Sequence, residues 1–372
     1  MIRAARVLAS AAALAALAAL AGSALSCSKF GDSSTDPTDA GEAADTAPPT
    51  VDGGGVMTPR RLYMFGGYTT EPTTESRPSA YVSTVGSDGE PGPWTRVKGL
   101  DDDRYHGAWL QTDTSLFAFG GTVQGNSAAK DGARAMLGPE PVGDTKVWSP
   151  TAQMATGRDY PSSFVRGTDV YVTGGKNGSS ALGNVERYVP GMDKFFPAGS
   201  MPAVAGHTAI LHDASMYLIG GDRGSAGPTA SVMKAGFDTD GSVLTFENGG
   251  ALKQVAAYHA FAVVEPWVFI IGGIGNSGAA VRDVMRGQFV TGMLTTDIIA
   301  PLPTPGQKGI AASCTVVIDH TIYVMGGRDV PADPSKGDVY IGRVDGGGVV
   351  TWTVAKNPLP EGRAAFGCAV GP

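Results

Sequence analysis

The segment Leu62-Tyr63-Met64-Phe65-Gly66-Gly67 recurs along the chain in altered forms. Each copy is an apolar run of strand-forming residues that ends in two glycines. The five further copies lie at residues 116–121, 170–175, 216–221, 267–273 and 322–327. Their first glycines follow one another at intervals of 54, 54, 46, 52 and 54 residues. A repeat period of this size predicts a propeller or a solenoid, in which each repeat is one structural unit.

The residues around each copy complete a unit of four strands. A second apolar run precedes the copy across a short polar turn, as at residues 207–211 before the copy at 216–221. A third alternating run follows the glycines, as at residues 338–344, and a fourth run often contains a tryptophan, at Trp94, Trp148 and Trp352. Four strands in about 50 residues predict one blade of a β-propeller, and the paired glycines allow close approach of backbones.

The two ends of the repeat region complement each other. The region opens near Arg61 with a second-strand run, and it closes at residues 363–370 with a first-strand run. Joining the ends gives a closing interval of about 52 residues, which lies within the range of the other intervals. We therefore predict an all-β, six-bladed propeller whose ring is closed by pairing the C-terminal strand with the N-terminal strands.

These repeats resemble kelch repeats, in which a second strand ends in Gly-Gly, a third strand bears a tyrosine and a tryptophan follows. The resemblance covers residues 60–372 and is closest to the bacterial kelch and galactose-oxidase-central-domain type, because an Asp-Gly turn precedes Trp94. Phe246 stands where the fourth repeat would have its tryptophan, and the fifth repeat has none there.

Composition and charge exclude several classes of protein. Glycine accounts for 54 of the 372 residues and charged residues for only 17%, which disfavours helical bundles and coiled coils. The formal charge of −7 and the isoelectric point near 5.2 argue against nucleic-acid binding.

The N-terminal segment indicates export. Arg3 and Arg6 precede an apolar run at residues 7–21, so residues 1–26 are predicted to be a signal peptide. Residues 24–27, Ala-Leu-Ser-Cys, resemble the lipobox of bacterial lipoproteins, which implies lipidation of Cys27, although a stronger lipobox has Leu where Ala24 stands. Ordinary cleavage with release and a retained membrane anchor are the alternatives. Ser28 after Cys27 favours the outer membrane by the same resemblance. Residues 27–59 are acidic and poor in apolar side chains, and they are predicted to be a disordered tether. These features predict a location in the cell envelope.

In propellers of the type that this chain resembles, ligands usually bind on the face where the loops before the first strands and those after Gly-Gly emerge. Arginine and aromatic side chains on these loops would suit a carboxylate or a sugar. The second set of loops carries Tyr68, Arg134, Lys176, Asn177, Asp222, Arg223, Asn276, Arg328 and Asp329. The candidate ligand-binding residues are Arg104, Tyr105, His106, Arg158, Tyr160, His207, Arg223, Tyr258, His259, Arg328 and Arg363.

A structural role is the alternative for part of this set. In kelch folds the Arg and His before the first strand commonly bond neighbouring loops and hold the blades together. That resemblance applies to Arg104, His106, Arg158, His207, His259 and Arg363. Arg223 and Arg328 lie just after their Gly-Gly pairs, where contact with a ligand and simple solvation remain open.

Signs of catalysis are few. The chain has no metalloprotease, nucleophile-elbow or phosphate-loop motif, so no catalytic residues are assigned. A metal site from His106, His207 and His259 would join residues too far apart for bonds of about 2 Å, so no metal or other cofactor is expected. Copper oxidases with a kelch-like domain need a Tyr-Cys cross-link, and no cysteine lies on the loops of the binding face.

Three functions remain open at this stage. We expect a monomeric, lipid-anchored binding module for a protein or glycan of the cell envelope. The main alternative is a periplasmic enzyme acting on an acidic sugar. The chain resembles the kelch-type sialic-acid epimerases in its predicted number of blades, its predicted location and its arginine-rich face. A purely structural envelope component is the third.

Cys314 and Cys368 occupy equivalent positions in two neighbouring repeats, 54 residues apart. In an oxidising compartment they could form a disulfide. We estimate the separation of neighbouring inner strands as roughly 7 to 9 Å, at or beyond the limit of about 7 Å between the Cα atoms of a bridge. A disulfide and two buried free thiols therefore remain open.

Overall fold

The computed structural model describes residues 60–69, 79–136, 148–329 and 334–371. The signal peptide, Cys27 and the tether lie outside these ranges. Within them the secondary structure consists of short β-strands and two 3₁₀ turns, at Gly224–Ala226 and Pro305–Gln307. No helix in these ranges is long and apolar enough to cross a membrane.

The strands are β1 (Arg61–Phe65), β2 (Ala80–Thr84), β3 (Thr95–Val97), β4 (Arg104–Tyr105), β5 (Ala108–Gln111), β6 (Ser115–Phe119), β7 (Thr122–Val123), β8 (Gly132–Met136), β9 (Ser149–Pro150), β10 (Ser162–Arg166), β11 (Asp169–Thr173), β12 (Lys176–Asn177), β13 (Ser180–Ala181), β14 (Asn184–Val189), β15 (Lys194–Ser200), β16 (Thr208–His212), β17 (Ser215–Ile219), β18 (Ser231–Ala235), β19 (Glu247–Ala251), β20 (Ala260–Val264), β21 (Trp267–Ile271), β22 (Val284–Val290), β23 (Met293–Ile299), β24 (Cys314–Ile318), β25 (Thr321–Met325), β26 (Val339–Val344), β27 (Val350–Val354) and β28 (Gly367–Gly371).

The long strands form antiparallel four-stranded sheets, one for each repeat. Their strand orders are β28-β1-β2-β3 (sheet 1), β5-β6-β8-β9 (sheet 2), β10-β11-β14-β15 (sheet 3), β16-β17-β18-β19 (sheet 4), β20-β21-β22-β23 (sheet 5) and β24-β25-β26-β27 (sheet 6). Sheets 4 and 5 also touch through a short parallel contact between β19 and β23. The predicted all-β propeller is confirmed.

The C-terminal strand closes the ring. β28 pairs with β1 in antiparallel register, with Leu62 opposite Val370 and Phe65 opposite Gly367. Sheet 1 therefore takes its innermost strand from one end of the chain and its other strands from the opposite end, as the complementary ends of the repeat region predict.

The core consists of apolar layers between neighbouring sheets. In β1, Leu62 and Met64 pack against sheet 6, whereas Tyr63 and Phe65 pack against sheet 2. Side chains of a strand alternate between the two faces of its sheet, so a sheet buried on both faces needs apolar residues at successive positions. Equivalent layers lie between each other pair of neighbouring sheets.

The paired glycines are required by backbone geometry. Gly120 and Gly121 have φ angles of 63° and 85°, in the left-handed region. A Cβ on Gly120 would lie 2.6 Å from the carbonyl oxygen of Arg158, and one on Gly121 would lie 2.3 Å from that of Tyr105. The glycine pair of sheet 2 thus packs directly on backbone carbonyls of the loops before the inner strands, where a side chain would not fit. The same packing in the other sheets explains why the motif repeats.

Cys314 and Cys368 form a disulfide between the inner strands of sheets 6 and 1. Their Cα atoms lie 6.0 Å apart, so the expected separation of 7 to 9 Å is wrong. The expected equivalence of the two cysteines is also wrong. Cys314 pairs with Met325, directly before the Gly-Gly pair of its sheet, whereas Cys368 pairs with Met64, two residues before the pair of sheet 1. The estimate of 7 to 9 Å applied to equivalent positions, and the bridge joins positions offset by one residue.

Candidate functional site

Six residues form a closed ring of backbone hydrogen bonds around one end of the central channel. Each lies shortly before the innermost strand of its sheet, and its N–H donates to the carbonyl of the equivalent residue in a neighbouring sheet. We call these residues the mouth ring. The donor–acceptor distances are 3.1 Å (His106 to Ala365), 2.7 Å (Tyr160 to His106), 3.0 Å (Gly206 to Tyr160), 2.7 Å (Tyr258 to Gly206), 2.8 Å (Ala312 to Tyr258) and 2.8 Å (Ala365 to Ala312).

Every residue of the mouth ring has a left-handed backbone. Their φ angles lie between 51° and 58°. Residues other than glycine adopt this conformation uncommonly, and it persists where the surrounding structure fixes it. In the mouth ring the hydrogen bonds on both sides of each residue provide that constraint, so the loops before the inner strands are held in one geometry.

The mouth ring has an aromatic side and a small-residue side. His106, Tyr160 and Tyr258 belong to sheets 2, 3 and 5, whereas Ala312 and Ala365 belong to sheets 6 and 1. In sheet 4 the residue of the mouth ring is Gly206, and a Cβ on it would lie 2.4 Å from the aromatic side chain of Tyr258. The aromatic side chains of sheets 3 and 5 therefore meet across this position.

Five aromatic side chains form a continuous surface, which we call the aromatic arc. Tyr160 stacks on His106 with 3.8 Å between ring centroids, and its hydroxyl lies 2.5 Å from His106 Nε2. Tyr258 meets Tyr160 edge to face at 4.7 Å. Tyr105 and Tyr68 meet His106 edge to face, at 4.6 and 5.3 Å. Tyr68 and Tyr105 are buried and support the three half-buried rings.

Charged side chains of both signs flank the aromatic arc. Lys176 Nζ lies 4.9 Å from the ring centroid of Tyr160, and the Arg328 guanidinium lies 5.4 Å from that of Tyr68. The Tyr258 hydroxyl donates to Asp222 Oδ2 at 3.2 Å. Lys176, Asp222 and Arg328 come from sheets 3, 4 and 6, so these groups converge from different parts of the chain.

The pKa of Tyr258 reflects this convergence. Burial is the largest effect and raises the pKa of the phenol, and the negative charge of Asp222 and the hydrogen bond to it raise the pKa further. The positive charge of Arg328 acts in the opposite direction. The phenol therefore stays protonated and remains a hydrogen-bond donor near neutral pH.

The structure places three of the candidate arginines inside the sheets. Arg104, Arg158 and Arg363 are each 0% exposed. Their Nη1 atoms donate to the carbonyl of the first glycine of a Gly-Gly pair, at 2.5 Å to Gly120, 2.8 Å to Gly174 and 2.5 Å to Gly66. These contacts fit the structural alternative, and they leave the three guanidinium groups no surface for a ligand.

Each buried arginine is also paired with a carboxylate. Arg158 Nη2 lies 2.5 Å from Glu186 Oε1, and Arg104 Nη2 lies 2.7 Å from Asp102 Oδ2. Arg363 pairs with Glu361. Desolvation lowers the pKa of Arg158, and the charge of Glu186 partly offsets that effect.

His207 and His259 lie behind the mouth ring rather than on it. Nε2 of His207 is 2.9 Å from Thr173 Oγ1, and Nε2 of His259 is 3.0 Å from Thr208 Oγ1. Burial lowers the pKa of His207 to about 3 and that of His259 to about 4. Both imidazoles are therefore neutral near pH 7. His259 is half-buried and faces the channel.

The remaining two candidate arginines differ in position. Arg328 directly follows its glycine pair and contacts the aromatic arc through Tyr68. The equivalent residue of sheet 4 is Asp222, so Arg223 lies one residue further along, where it is exposed beside the turn Gly224–Ala226. Tyr105, His106, Tyr160, Tyr258 and Arg328 thus meet at one surface, whereas Arg223 lies at its margin.

A cavity of about 180 Å³ lies directly behind the mouth ring. We call it the throat. Each of the six innermost strands contributes to its wall, with lining residues that include Ala108, Ser163, Thr208, Phe261, Thr315 and Cys368. The amino-acid sequence does not indicate this cavity, because alternation along a strand does not distinguish a wall of the channel from a layer of the core.

In the parts of the chain that the structure covers, no group of three or more His, Cys, Asp or Glu side chains could hold a metal ion. His106 contacts Tyr160 at the mouth, whereas the other two histidines of the rejected metal hypothesis hydrogen-bond to threonines behind it. What the described mouth offers chemically is aromatic faces, uncharged donors and a few charges of both signs.

Comparison with known proteins is consistent with this architecture. The Kelch motif matches residues 157–202, which include Arg158, Tyr160 and the glycine pair of sheet 3. A solved structure titled "Structure of YjhT" superposes with a TM-score of 0.57 at 17% identity, and the match covers 72% of this chain and 88% of that chain. This likeness concerns the fold alone.

Among curated proteins, the spermatocyte protein spe-26 of Caenorhabditis elegans is 26% identical over 167 residues. The match covers 44% of this chain and 28% of the nematode protein. The chain thus matches less than a third of the length of this relative.

Proposed function

We propose that the protein, whose described residues form a kelch-repeat β-propeller domain, is a binding module of the cell envelope that holds a glycan at the mouth of its channel. The observation that carries this proposal is the aromatic arc. Half-buried faces of His106, Tyr160 and Tyr258 lie side by side where the loops before the six inner strands meet.

Sugar rings have apolar C–H faces and polar edges, and this surface matches both. Aromatic faces pack against the apolar side of a sugar, and hydrogen-bonding groups at the edge fix its hydroxyls. Asp222 supplies acceptors, whereas Lys176 and Arg328 supply donors. A neutral or weakly charged glycan suits this mixture of signs better than a polyanion does.

The positions of the arginines favour binding over the enzyme alternative. The proposal of an enzyme acting on an acidic sugar depends on an arginine-rich face. Arg104, Arg158 and Arg363 use their guanidinium groups on backbone carbonyls and carboxylates within the sheets. Arg328 is the candidate arginine that contacts the aromatic arc.

Binding can be tested by titrating the full chain with neutral envelope oligosaccharides, uronic acids and sialic acids. Tyr160→Ala should weaken binding about fivefold or more, because an aromatic contact contributes about 1 kcal/mol. The matched control is His320→Ala, which removes an exposed ring from the turn after β24, at the far end of the channel.

Absence of saturable binding to any glycan would contradict the proposal, and so would equal affinities of Tyr160→Ala and the unaltered chain. Product formed from any sugar of the panel would favour the enzyme instead.

The envelope location rests on the sequence of residues 1–27. Arg3, Arg6, the apolar run after them and the Ala-Leu-Ser-Cys segment support export and acylation at Cys27. Cys27→Ser should release the protein from the membrane fraction or leave the signal peptide uncleaved. Normal cleavage with an unchanged membrane fraction would contradict acylation.

A further inference from the structure

The throat has a wall without charge. Of the described residues that line it, none is Asp, Glu, Lys or Arg, and the one histidine, His259, is neutral because burial lowers its pKa to about 4. Apolar rings, including Trp109 and Phe366, share the wall with hydroxyl groups. An anion would find no positive charge to pair with here, and a metal cation would find no carboxylate.

Three hydroxyls of the throat lack protein partners. Ser163 Oγ, Ser313 Oγ and Thr315 Oγ1 are buried, and each has no hydrogen-bond partner among the described residues. Buried polar groups in folded proteins are generally hydrogen-bonded, and an unmade bond is costly. Ser163 and Thr315 are 9% and 7% exposed as whole residues, so bulk water does not satisfy them freely.

The positions of these hydroxyls indicate what would satisfy them. Ser163 lies on sheet 3, whereas Ser313 and Thr315 belong to sheet 6, and these two sheets face each other across a ring of six. A molecule that bridges the channel therefore needs hydroxyl groups at both ends and carbon between them to contact the apolar rings. The cavity of about 180 Å³ is well above the roughly 10–15 Å³ that one water molecule needs, so the throat has room for a larger molecule.

We propose that the throat is a second binding site, separate from the aromatic arc, and that its ligand is a small uncharged group with hydroxyls at both ends, bridging Ser163 and Thr315. Free polyols have this chemistry, and so does the hydroxyl-bearing end of a glycan. The site does not require the proposed glycan function, because its partners are channel side chains and not residues of the arc.

The test is a saturation-transfer NMR titration of the full chain with glycerol and ribitol as probes. Both should bind saturably. Thr315→Val should weaken binding by about three- to tenfold, because it removes one uncharged hydrogen bond at nearly constant volume. Thr315→Ser keeps the hydroxyl and should retain the affinity. Thr353→Val makes the same change at an exposed position of β27 and should have no effect.

Failure of both polyols to bind saturably would overturn the proposal and would mean that the throat holds water only. Equal affinities of Thr315→Val and the unaltered chain would overturn it as well. Ser163→Ala provides the same test from sheet 3 if the Thr315 variant does not fold.

A second arm separates this site from the aromatic arc. Tyr160→Ala should leave polyol affinity unchanged, and a loss there would overturn the claim of separate sites. The same titrations with oligosaccharides then identify the source of the ligand. If the affinity for a glycan falls in both Tyr160→Ala and Thr315→Val, the end of that glycan enters the throat. If polyols bind and no glycan binds, the proposed site in the throat is supported and the proposed glycan function is refuted.

Discussion

Replacing Arg158 with Met should destabilise the domain more than the same replacement at Arg104. Both guanidinium groups are fully buried, and both donate to the first glycine carbonyl of a Gly-Gly pair. The loss of this hydrogen bond is therefore matched, although Arg158 Nε also donates to the Thr156 carbonyl at 3.3 Å. The larger difference lies in the carboxylate that each arginine leaves behind.

The Glu186 side chain, which pairs with Arg158, is only 4% exposed. Removing one partner of a buried ion pair costs about 3–5 kcal/mol, because the remaining charge is neither solvated nor paired. The partners of Arg104 are Asp102 and Asp131, whose side chains are 24% and 42% exposed. Water solvates these carboxylates in the variant, so we expect the cost of an unpaired carbonyl, about 1–3 kcal/mol.

Urea unfolding of the full chain, followed by tryptophan fluorescence, measures both losses. Glu186 accepts from the Ala155 N–H through Oε2 and from the Thr156 N–H through Oε1. Adding Glu186→Gln to the Arg158→Met variant should recover about 1–2 kcal/mol, because the amide carries no charge and its single oxygen still accepts from one of these two N–H groups. An equal loss in the Arg104 and Arg158 variants would refute this reasoning. Failure of Glu186→Gln to restore any stability would refute it too.

Three further predictions concern the ring. Peptide mapping without reduction should find Cys314 and Cys368 joined, and reduction should lower the free energy of unfolding by about 2–4 kcal/mol. Two free thiols would show that strand pairing alone closes the ring. Gly206→Ala should weaken glycan binding because its Cβ would displace an aromatic ring of the arc, whereas Gly167→Ala has the same left-handed backbone in open space and should lose only stability. His207 is neutral in the fold, with its pKa lowered to about 3, and it takes up a proton in the unfolded chain below about pH 6.5. Stability should therefore fall as the pH drops from about 6.5 toward 3, by up to about 1.4 kcal/mol per pH unit, and His207→Gln should reduce this slope in urea titrations at pH 7 and pH 5.

The propeller architecture could be predicted from the sequence because the patterns that indicate it are local and recur in every repeat. The run that ends in Gly66-Gly67 marks the same strand in every sheet, and the complementary ends of the region predict the pairing of β28 with β1. Aromatic residues in the loops before the inner strands also indicated part of the candidate site, namely His106, Tyr160 and Tyr258.

The direction of long side chains could not be predicted in the same way. Arg104, Arg158 and Arg363 stand in loops beside the mouth, yet they extend under the glycine pairs of their own sheets. Their residue type suits a ligand and a backbone carbonyl equally well. Burial decides between these partners, and burial depends on the sheet that packs above the loop.

The repeat, the strand order within each repeat and the residues available at the mouth all follow from local sequence patterns. Tertiary structure alone decided the 6.0 Å between Cys314 and Cys368, the hydrogen-bonded mouth ring and the unpartnered hydroxyls of Ser163 and Thr315 across the throat. Periodicity reports how a strand alternates against its neighbours along the chain. Distances across the channel depend on how closely all six sheets pack. That packing depends on contacts between residues far apart in the chain, so no single position in the sequence indicates the distance.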